Sequence, residues 1–263
     1  MAFDYMTAAE AAEHFKNGDT VGLSGFTAPG TPKFIPEAIA AKAEREHAEG
    51  RPFKINLLTG ASTSDHVDGA LSRANALNFR APYQNVPDLR KRINSHDCHY
   101  DDRHLSEMAQ EVRYGFYGKV DWAIIEAADI TPDGEVILGT GVGNIPTYAK
   151  LADKIFIELN EALPKALYGM HDIYLPADPP YRREIPIYAA NARIGSPVLK
   201  IDPNKVVGIV RTKSYDGVKP FTAPDEVSKQ IGANVVAFLL REYRRGGIPK
   251  EFLPLQSGVG NVA

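Results

Sequence analysis

The chain has 263 residues, of which 44% are hydrophobic and 24% are charged, with a net charge of −3. This composition is ordinary for a globular protein, and the small acidic balance gives no electrostatic reason to expect nucleic acid or an anionic membrane as a partner. No apolar run approaches the ~20 residues of a membrane-spanning helix, and the amino terminus lacks the pattern of a signal peptide. The single cysteine, Cys98, excludes an intramolecular disulfide. These features predict a cytoplasmic protein.

Helix and strand signals alternate along the chain. Thr7 and Glu10 have the spacing of a capping box, which predicts a helix over 8–16. Pro32 or Pro36 can open a second helix that runs to Ala48. Apolar runs predict strands at 20–24, 54–58, 120–127, 135–138, 154–159 and 205–210, and apolar spacing predicts an amphipathic helix over 226–245. Strands separated by helices indicate an α/β fold with an open, mostly parallel, doubly wound sheet.

Small residues follow three of the predicted strands, in the loops 25–30, 59–64 and 139–144. Ligands of open α/β sheets bind beyond the carboxyl ends of the strands, and glycine lets the backbone approach a ligand closely. One such loop is weak support, because tight turns also need glycine for steric reasons. Three together favour a shared site. The glycine spacings match neither a phosphate-binding loop nor a dinucleotide fingerprint, so no nicotinamide cofactor is indicated.

Three other features have two interpretations each. Residues 96–104 crowd His, Asp and Cys side chains, but Arg92 and Arg103 would oppose a cation, so a polar loop that caps the helix beginning near Asp102 or His104 is favoured and no metal is predicted. Cys98 has histidines near it in sequence, which says little because a catalytic triad is spatial. Glu126 ends a buried strand and is either a catalytic carboxylate or a partner of a helix N-terminus; the structural role is favoured.

The peptide Gly-Val-Gly-Asn occurs twice, at 141–144 and 258–261, and suggests turns that offer backbone N–H groups and a side-chain amide. With other peptides it resembles the acetyl-CoA hydrolase/transferase family, class I CoA-transferases of the succinyl-CoA:acetate type. The matching peptides are Ser24-Gly25-Phe26-Thr27 with Gly30, Pro32 and Lys33; Leu58-Thr59-Gly60-Ala61-Ser62; Ile209-Val210-Arg211-Thr212; Pro220-Phe221 with Pro224-Asp225-Glu226; and the segment 253–263.

The resemblance implies two similar open α/β domains with the active site between them. Residues 1–222 would form the N-terminal domain, and 223–263 would begin the second. A glutamate would attack an acyl-CoA thioester, and the resulting anhydride would react with CoA to give a glutamyl-CoA thioester that a carboxylate resolves. Each step passes through a tetrahedral oxyanion. The resemblance implies no metal and no cofactor besides CoA as a substrate, and it implies a homodimer.

The resemblance also assigns site residues. Five residues of the first domain would line the acyl pocket, two would lie against the nucleophile, and two asparagines are either orienting amides or turn residues. These are, in that order, Gly25, Phe26, Thr27, Gly30 and Ser62; Val259 and Gly260; Asn144 and Asn261. The nucleophilic glutamate of the family would fall beyond Ala263. We therefore expect this chain to need a C-terminal domain and to be inactive alone.

The acceptor carboxylate is less well defined by the sequence. Succinate-using relatives can place an arginine in the loop that here spans 213–219, where this chain has lysines only. Lysine lacks the bidentate fork of arginine, so acetate or propionate is the expected acceptor. Succinate would need Lys213, Lys219 or Arg193 to bind its distal carboxylate. Two alternatives stay open: an acyl-CoA hydrolase that uses the same intermediate, and a non-catalytic binding or assembly half.

Overall fold

The computed structural model describes residues 3–62, 64–217, 222–252 and 255–258. The chain divides into two compact units, 1–217 and 218–263. The prediction that residues from 223 onward begin a second CoA-transferase domain stays a prediction.

The first unit is built on one open sheet. Its described strands are β1 (Thr20–Leu23), β2 (Ile55–Leu58), β3 (Leu77–Ala81), β4 (His99–Tyr100), β5 (Trp122–Ile130), β6 (Glu135–Leu138), β7 (Lys154–Asn160), β8 (Leu199–Lys200) and β9 (Val206–Thr212). The parallel strands lie in the order β4-β3-β2-β1-β5-β7-β9. β6 pairs antiparallel with the end of β5, and β8 pairs antiparallel with β6. The predicted open, mostly parallel sheet is confirmed.

Helices cover both faces of this sheet. They are α1 (Ala8–Glu13), α2 (Phe34–Ala48), α3 (Ala70–Arg73), α4 (Pro87–Asn94), α5 (Leu105–Arg113) and α6 (Ile145–Leu151), with a π-helical turn at Asp65–Gly69 before α3. Buried side chains of α1 to α4 pack into one apolar core, and those of α5 and α6 pack into another. Because each core uses side chains that alternate along β5, the sheet is doubly wound, as predicted.

Local sequence signals explain where two of the helices lie. The capping box is present, since Glu10 N donates to Thr7 Oγ1 at 3.2 Å and Thr7 N donates to Glu10 Oε2 at 2.8 Å. α1 nevertheless ends at Glu13, three residues before the predicted end. α2 ends at Ala48 as predicted, and Gly50 adopts the left-handed conformation, φ +73, that favours glycine after a helix.

The strand at 135–138, β6, is not part of a parallel βαβ unit, although such units were predicted from strands separated by helices. Only residues 131–134 separate β5 from β6, and a parallel crossover needs a dozen or more residues. Gly134 turns the chain with φ +82. β5 runs on to Ile130, and β6 returns antiparallel along it, so that Leu138 pairs with Ala127. The third glycine loop therefore reaches the sheet edge from a returning strand.

The second unit contains helix α7 (Glu226–Arg244), as the apolar spacing predicted. Asp225 caps it, because Ser228 N donates to the Asp225 carboxylate at 2.7 Å. No residue of α7 is buried, and its apolar residues Val227, Val235 and Phe238 are about half exposed or more. In the described part of the chain, no helix combines the length and apolar character required to cross a membrane.

Candidate active site

The three glycine-containing loops meet at the carboxyl edge of the sheet. Thr27 N donates to Ala61 O at 3.0 Å, and Thr27 forms a parallel bridge with Ser62. Gly30 has φ +75, and a Cβ there would lie 2.2 Å from Gly141 O. Because these contacts are with backbone, a side chain at Gly30 would force the two loops apart. The loop after β1 therefore contacts both other loops directly.

Hydrogen bonds of Ser24 and Asn144 also connect the same three loops. Asn144 N donates to Ser24 Oγ at 2.8 Å, and Asn144 Nδ2 donates to Thr59 O at 3.1 Å. The buried Tyr148 hydroxyl also donates to Thr59 O. Asn144 directly precedes α6 but makes no side-chain cap. Its amide N–H therefore orients the loop after β2, which is a structural use of one of the two predicted orienting amides.

Six of the predicted site residues are brought together by this arrangement: Gly25, Phe26, Thr27, Gly30, Ser62 and Asn144. Phe26 is 62% exposed and Thr27 is exposed, so these two can contact a ligand. Ser62 is buried, and its Oγ accepts from Gly60 N at 3.4 Å, so it shapes the loop. Val259, Gly260 and Asn261 lie outside the described residues. The substrate-binding roles of all nine residues stay predictions.

A buried ion pair supports the loop that follows β2. Arg80 on β3 and Asp68 in the π-helical turn are both fully buried. Arg80 donates to both Asp68 oxygens, at 2.8 and 3.1 Å, and also to Ala81 O at 2.7 Å and Ser62 O at 3.2 Å. The guanidinium fork thus fixes the Ser62 carbonyl to the sheet.

A second buried cluster lies under the loop that follows β1. Lys33 is 2% exposed, and its Nζ donates to Glu126 Oε1 at 2.5 Å, Asp216 Oδ1 at 3.1 Å and Thr31 O at 3.1 Å. Asn160 Nδ2 donates to Glu126 Oε1 at 3.0 Å and to Ser214 O at 2.7 Å. The cluster therefore connects the loop before α2 to the segment after β9.

Glu158 occupies the position level with Glu126 on the neighbouring strand β7. Its carboxyl oxygens accept from Lys33 N at 2.8 Å and from Ile35 N at 2.6 Å, at the N-terminus of α2. Glu158 is thus the carboxylate at a helix N-terminus, whereas that structural role was predicted for Glu126. Glu126 instead pairs with Lys33.

Burial governs the protonation of both glutamates. Removal from water raises the pKa of Glu126, opposed by the Lys33 ammonium beside it. Burial raises the pKa of Glu158 to about 7, opposed by its hydrogen bonds to backbone N–H groups. Burial also lowers the pKa of Lys33, but Glu126 and Asp216 outweigh it and leave the pKa raised. The site therefore holds an ammonium among carboxyl groups that resist ionisation.

Sequence reasoning missed most of this second cluster. Lys33 was predicted only as part of a family peptide, and no role was predicted for Glu158, Asn160 or Asp216. One signal was available: Glu158 lies inside the apolar run of β7, as Arg80 lies inside β3. A charged residue within a buried strand needs a buried partner, because an unpaired charge there is costly.

The features considered as alternatives have structural explanations. Cys98 is 3% exposed, and burial raises the pKa of its thiol to about 11, which disfavours the nucleophilic thiolate. Among the described residues, no three His, Cys, Asp or Glu side chains form a group that could hold a metal ion. His99 and Tyr100 form the edge strand β4, and α5 begins directly after His104, as predicted, but His104 makes no side-chain cap, so the predicted capping role was wrong.

A cavity of about 380 Å³ adjoins the loop that carries Asn144. Arg113, Arg182 and Arg183 line it, together with Gln110. Arg113 pairs with Asp178 at 2.5 Å, and Arg182 donates to Gln110 at 3.0 Å. This cavity is positively charged on balance and suits an anionic group of a ligand bound at the loops.

Loops at the carboxyl edge of a doubly wound sheet, with buried charged groups beneath them, define an open α/β domain with a candidate ligand site at that edge. Similarity to known proteins identifies the family of this domain. Residues 3–211 match the family model described as the acetyl-CoA hydrolase/transferase N-terminal domain. The chain belongs to the acetyl-CoA hydrolase/transferase family, as the sequence resemblance predicted.

The relatives include both transferases and hydrolases. The chain is 47% identical over 257 residues to the propanoyl-CoA:succinate CoA transferase of Escherichia coli, covering 98% of this chain and 52% of the relative. It is 44% identical over 258 residues to the succinyl-CoA:acetate CoA-transferase of Clostridium kluyveri, covering 98% and 47%. It is 37% identical over 263 residues to the acetyl-CoA hydrolase of Saccharomyces cerevisiae, covering 97% and 49%. The chain thus spans about half the length of these relatives.

The fold is shared with solved structures of low sequence identity. RipA from Yersinia pestis superposes with a TM-score of 0.59 at 14% identity, over 88% of this chain and 48% of that one. At this identity the similarity shows the fold alone. Together with the family match, it confirms the predicted CoA-transferase type of α/β fold.

Proposed function

We propose that this chain is the N-terminal half of a CoA-transferase that moves CoA between a short acyl-CoA and a carboxylate such as acetate, through a glutamyl-CoA thioester. The observation that carries the proposal is the identity of 47% and 44%, along 98% of the chain, to two CoA-transferases. In such a protein the nucleophilic glutamate follows Ala263, and CoA is a substrate, with no metal or redox cofactor.

The described loops suit this chemistry. The reaction forms tetrahedral oxyanions, which need preorganised hydrogen-bond donors and a site from which water is excluded. Exposed Phe26 and Thr27 would border the acyl group, and the close backbone contacts of Gly30 and Gly141 would hold the loop that carries them in place. The arginine-lined cavity beside Asn144 would attract an anionic substrate.

The test uses the complete protein that carries this chain, with acetyl-, propionyl- and succinyl-CoA each offered to labelled acetate, propionate and succinate. Transfer predicts label in the acyl-CoA pool, parallel initial-rate plots typical of a ping-pong mechanism, and a glutamyl-CoA adduct that is trapped by borohydride. Absence of label transfer with every pair would contradict the proposal. The same assay with the 263-residue chain tests whether the C-terminal half is required.

An acetyl-CoA hydrolase is the second candidate, because hydrolases of several fungi are 37–40% identical to this chain. In that case water resolves the glutamyl thioester. Thiol release that is the same with and without added carboxylate would favour hydrolysis over transfer. No turnover in the complete protein, together with a stable complex, would favour a non-catalytic assembly half.

The acceptor has a residue-level test. Lys213 is exposed, and Lys219 lies outside the described residues. Arg193 donates to the backbone oxygen of His171. The His171 ring nitrogen Nε2 in turn lies 2.7 Å from Gly139 O, in the third glycine loop. If Arg193 binds the distal carboxylate of succinate, Arg193→Gln raises the KM for succinate and leaves that for acetate unchanged.

We also propose a homodimer in the cytoplasm, which sedimentation and cell fractionation of the complete protein would test.

A further inference from the structure

Glu126 uses only one of its two carboxyl oxygens. Oε1 accepts from Lys33 Nζ at 2.5 Å and from Asn160 Nδ2 at 3.0 Å. Oε2 is buried and has no hydrogen-bond partner among the described residues. A Cβ built on Gly139 would lie 3.8 Å from this oxygen and 3.8 Å from Gly30 Cα. Oε2 therefore lies beneath the junction of two of the site loops, where an ionised oxygen without a donor is costly.

The charges around Lys33 do not balance. Glu126 and Asp216 contact the Lys33 ammonium, and Glu158, level with Glu126 on β7, accepts from the Lys33 backbone N–H, so full ionisation would leave two negative charges in excess of the one ammonium. In the described part of the chain, no other charged side chain forms an ion pair or hydrogen bond with Glu126. Both Glu126 and Glu158 are at most 2% exposed. At least one of the three carboxyl groups must therefore carry a proton.

Hydrogen-bond geometry shows which carboxyl group has room for that proton. Both oxygens of Glu158 already accept from backbone N–H groups, and the Asp216 side chain is 16% exposed and can be solvated. Of these three carboxyl groups, only Glu126 has a buried oxygen, Oε2, that no donor of the described residues faces.

We propose that Glu126 is a neutral carboxylic acid, protonated at Oε2, and that it is a positioning residue for the acyl pocket. Through Oε1 it holds Lys33 and Asn160, which in turn bind Thr31 O in the loop after β1 and Ser214 O in the segment after β9. A neutral Glu126 also leaves Asp216 as the charge partner of Lys33, so one hydrogen-bonded chain fixes both segments. The activity readout of this inference rests on the proposed function, but its spectroscopic readout does not.

Two substitutions separate a neutral acid from an ionised partner. Glu126→Gln keeps an acceptor oxygen toward Lys33 and places an N–H donor where the protonated oxygen lies, whereas Glu126→Met removes both. In the complete protein we expect kcat/KM of E126Q to stay within about threefold of wild type and that of E126M to fall about 100-fold through misplaced loops. The exposed Glu107→Gln is the matched control and should behave as wild type.

The contrary outcomes are specific. If E126Q is as impaired as E126M, the negative charge is required and the proposal is wrong. If E126M matches wild type in kcat/KM, Glu126 positions nothing. Ionisation of Glu126 at alkaline pH should lower kcat/KM of the wild type. Glu126→Gln should remove this alkaline loss of rate, a change that loss of packing alone would not produce.

Infrared spectroscopy of ¹³C-glutamate-labelled protein tests the protonation directly, without turnover. At about pH 8, above the pKa of Glu158 of about 7 and far above that of exposed glutamates, we expect a carboxylic acid C=O band that persists in E158Q and is absent in E126Q. A wild-type protein without this band, or a band that survives in E126Q, overturns the proposal. If the complete protein proves to be no transferase, this measurement still decides whether Glu126 is neutral.

Discussion

Two buried charge clusters lie under the same edge of the sheet and differ in their balance. Under the loop after β2, Arg80 faces Asp68 as a bidentate pair, with one charge of each sign. Under the loop after β1, the Lys33 ammonium pairs with Glu126 and Asp216, and the buried Glu158 lies level with Glu126 on β7. Both clusters reach loop carbonyls, Ser62 O in the first case and Thr31 O in the second.

The difference separates two uses of buried charge. A complete pair whose donors and acceptors are satisfied fixes geometry. A cluster with surplus buried carboxyl groups binds protons more readily when folded than when unfolded, so its contribution to stability depends on pH. The first cluster is suited to holding a loop still, and the second to holding a loop in a way that responds to protonation.

The largest expected effect comes from breaking the balanced pair. Asp68→Ala leaves the fully buried Arg80 guanidinium without its counterion, which should lower the free energy of unfolding by about 3–5 kcal/mol. Asp65→Ala in the same π-helical turn is the matched control, because Asp65 and Arg73 pair at the surface. That change should cost at most about 1 kcal/mol. Urea unfolding of the chain measures both, and equal losses would contradict a structural role for Asp68.

The unbalanced cluster should make stability depend on pH. Burial raises the pKa of Glu158 from 4.5 to about 7, so the folded state binds more protons than the unfolded state in this range. Stability from this group is therefore present below about pH 4.5 and lost as the pH rises toward 7. The full shift corresponds to about 3 kcal/mol.

Glu158→Gln isolates that contribution. The variant loses one backbone hydrogen bond at every pH but has no carboxyl group to titrate, so its deficit relative to wild type should shrink by about 3 kcal/mol between about pH 5 and pH 8. Urea unfolding at several pH values measures this difference. A deficit that is constant with pH would show that Glu158 is ionised throughout.

Much of the framework could be predicted because its signals are local. The capping box at Thr7, the apolar run of β5 and the glycine after α2 each act within a few residues. The meeting of the loops after β1 and β2 also followed from one rule, that parallel strands place their carboxyl ends at one edge; the third loop reaches that edge because β6 returns antiparallel along β5. The antiparallel direction of β6 was not predicted, although residues 131–134 between β5 and β6 are too few for a parallel crossover.

The charge clusters could not be predicted in the same way. Lys33 and Glu126 are 93 residues apart in sequence, and Arg80 and Asp68 meet only through the winding of the π-helical turn onto β3. The sequence shows that a charged residue interrupts a buried strand, but the identity of its partner depends on strand order. Glu126 and Glu158 become neighbours only because β7 pairs with β5.

The smallest expected effect tests whether backbone contact or the Lys33 cluster holds the loop after β1. Gly30 and Gly50 have almost the same conformation, with φ of +75 and +73. A Cβ on Gly30 would lie 2.2 Å from Gly141 O, whereas one on Gly50 would meet nothing within 4 Å. Gly50→Ala should therefore cost about 1 kcal/mol for the left-handed conformation alone. Gly30→Ala should cost a further ~1–3 kcal/mol, because the two loops must move apart.

Thermal unfolding of the two alanine variants gives the difference, in which the conformational cost cancels. A Gly30→Ala loss that exceeds that of Gly50→Ala means that the contact with Gly141 fixes the loop together with Lys33. Equal losses would mean that the loop yields freely at Gly30, and that the hydrogen bond from Lys33 Nζ to Thr31 O is what holds it to the sheet. In that case the contrast between the two clusters sharpens, because the pH-dependent cluster would then control the position of the loop after β1 by itself.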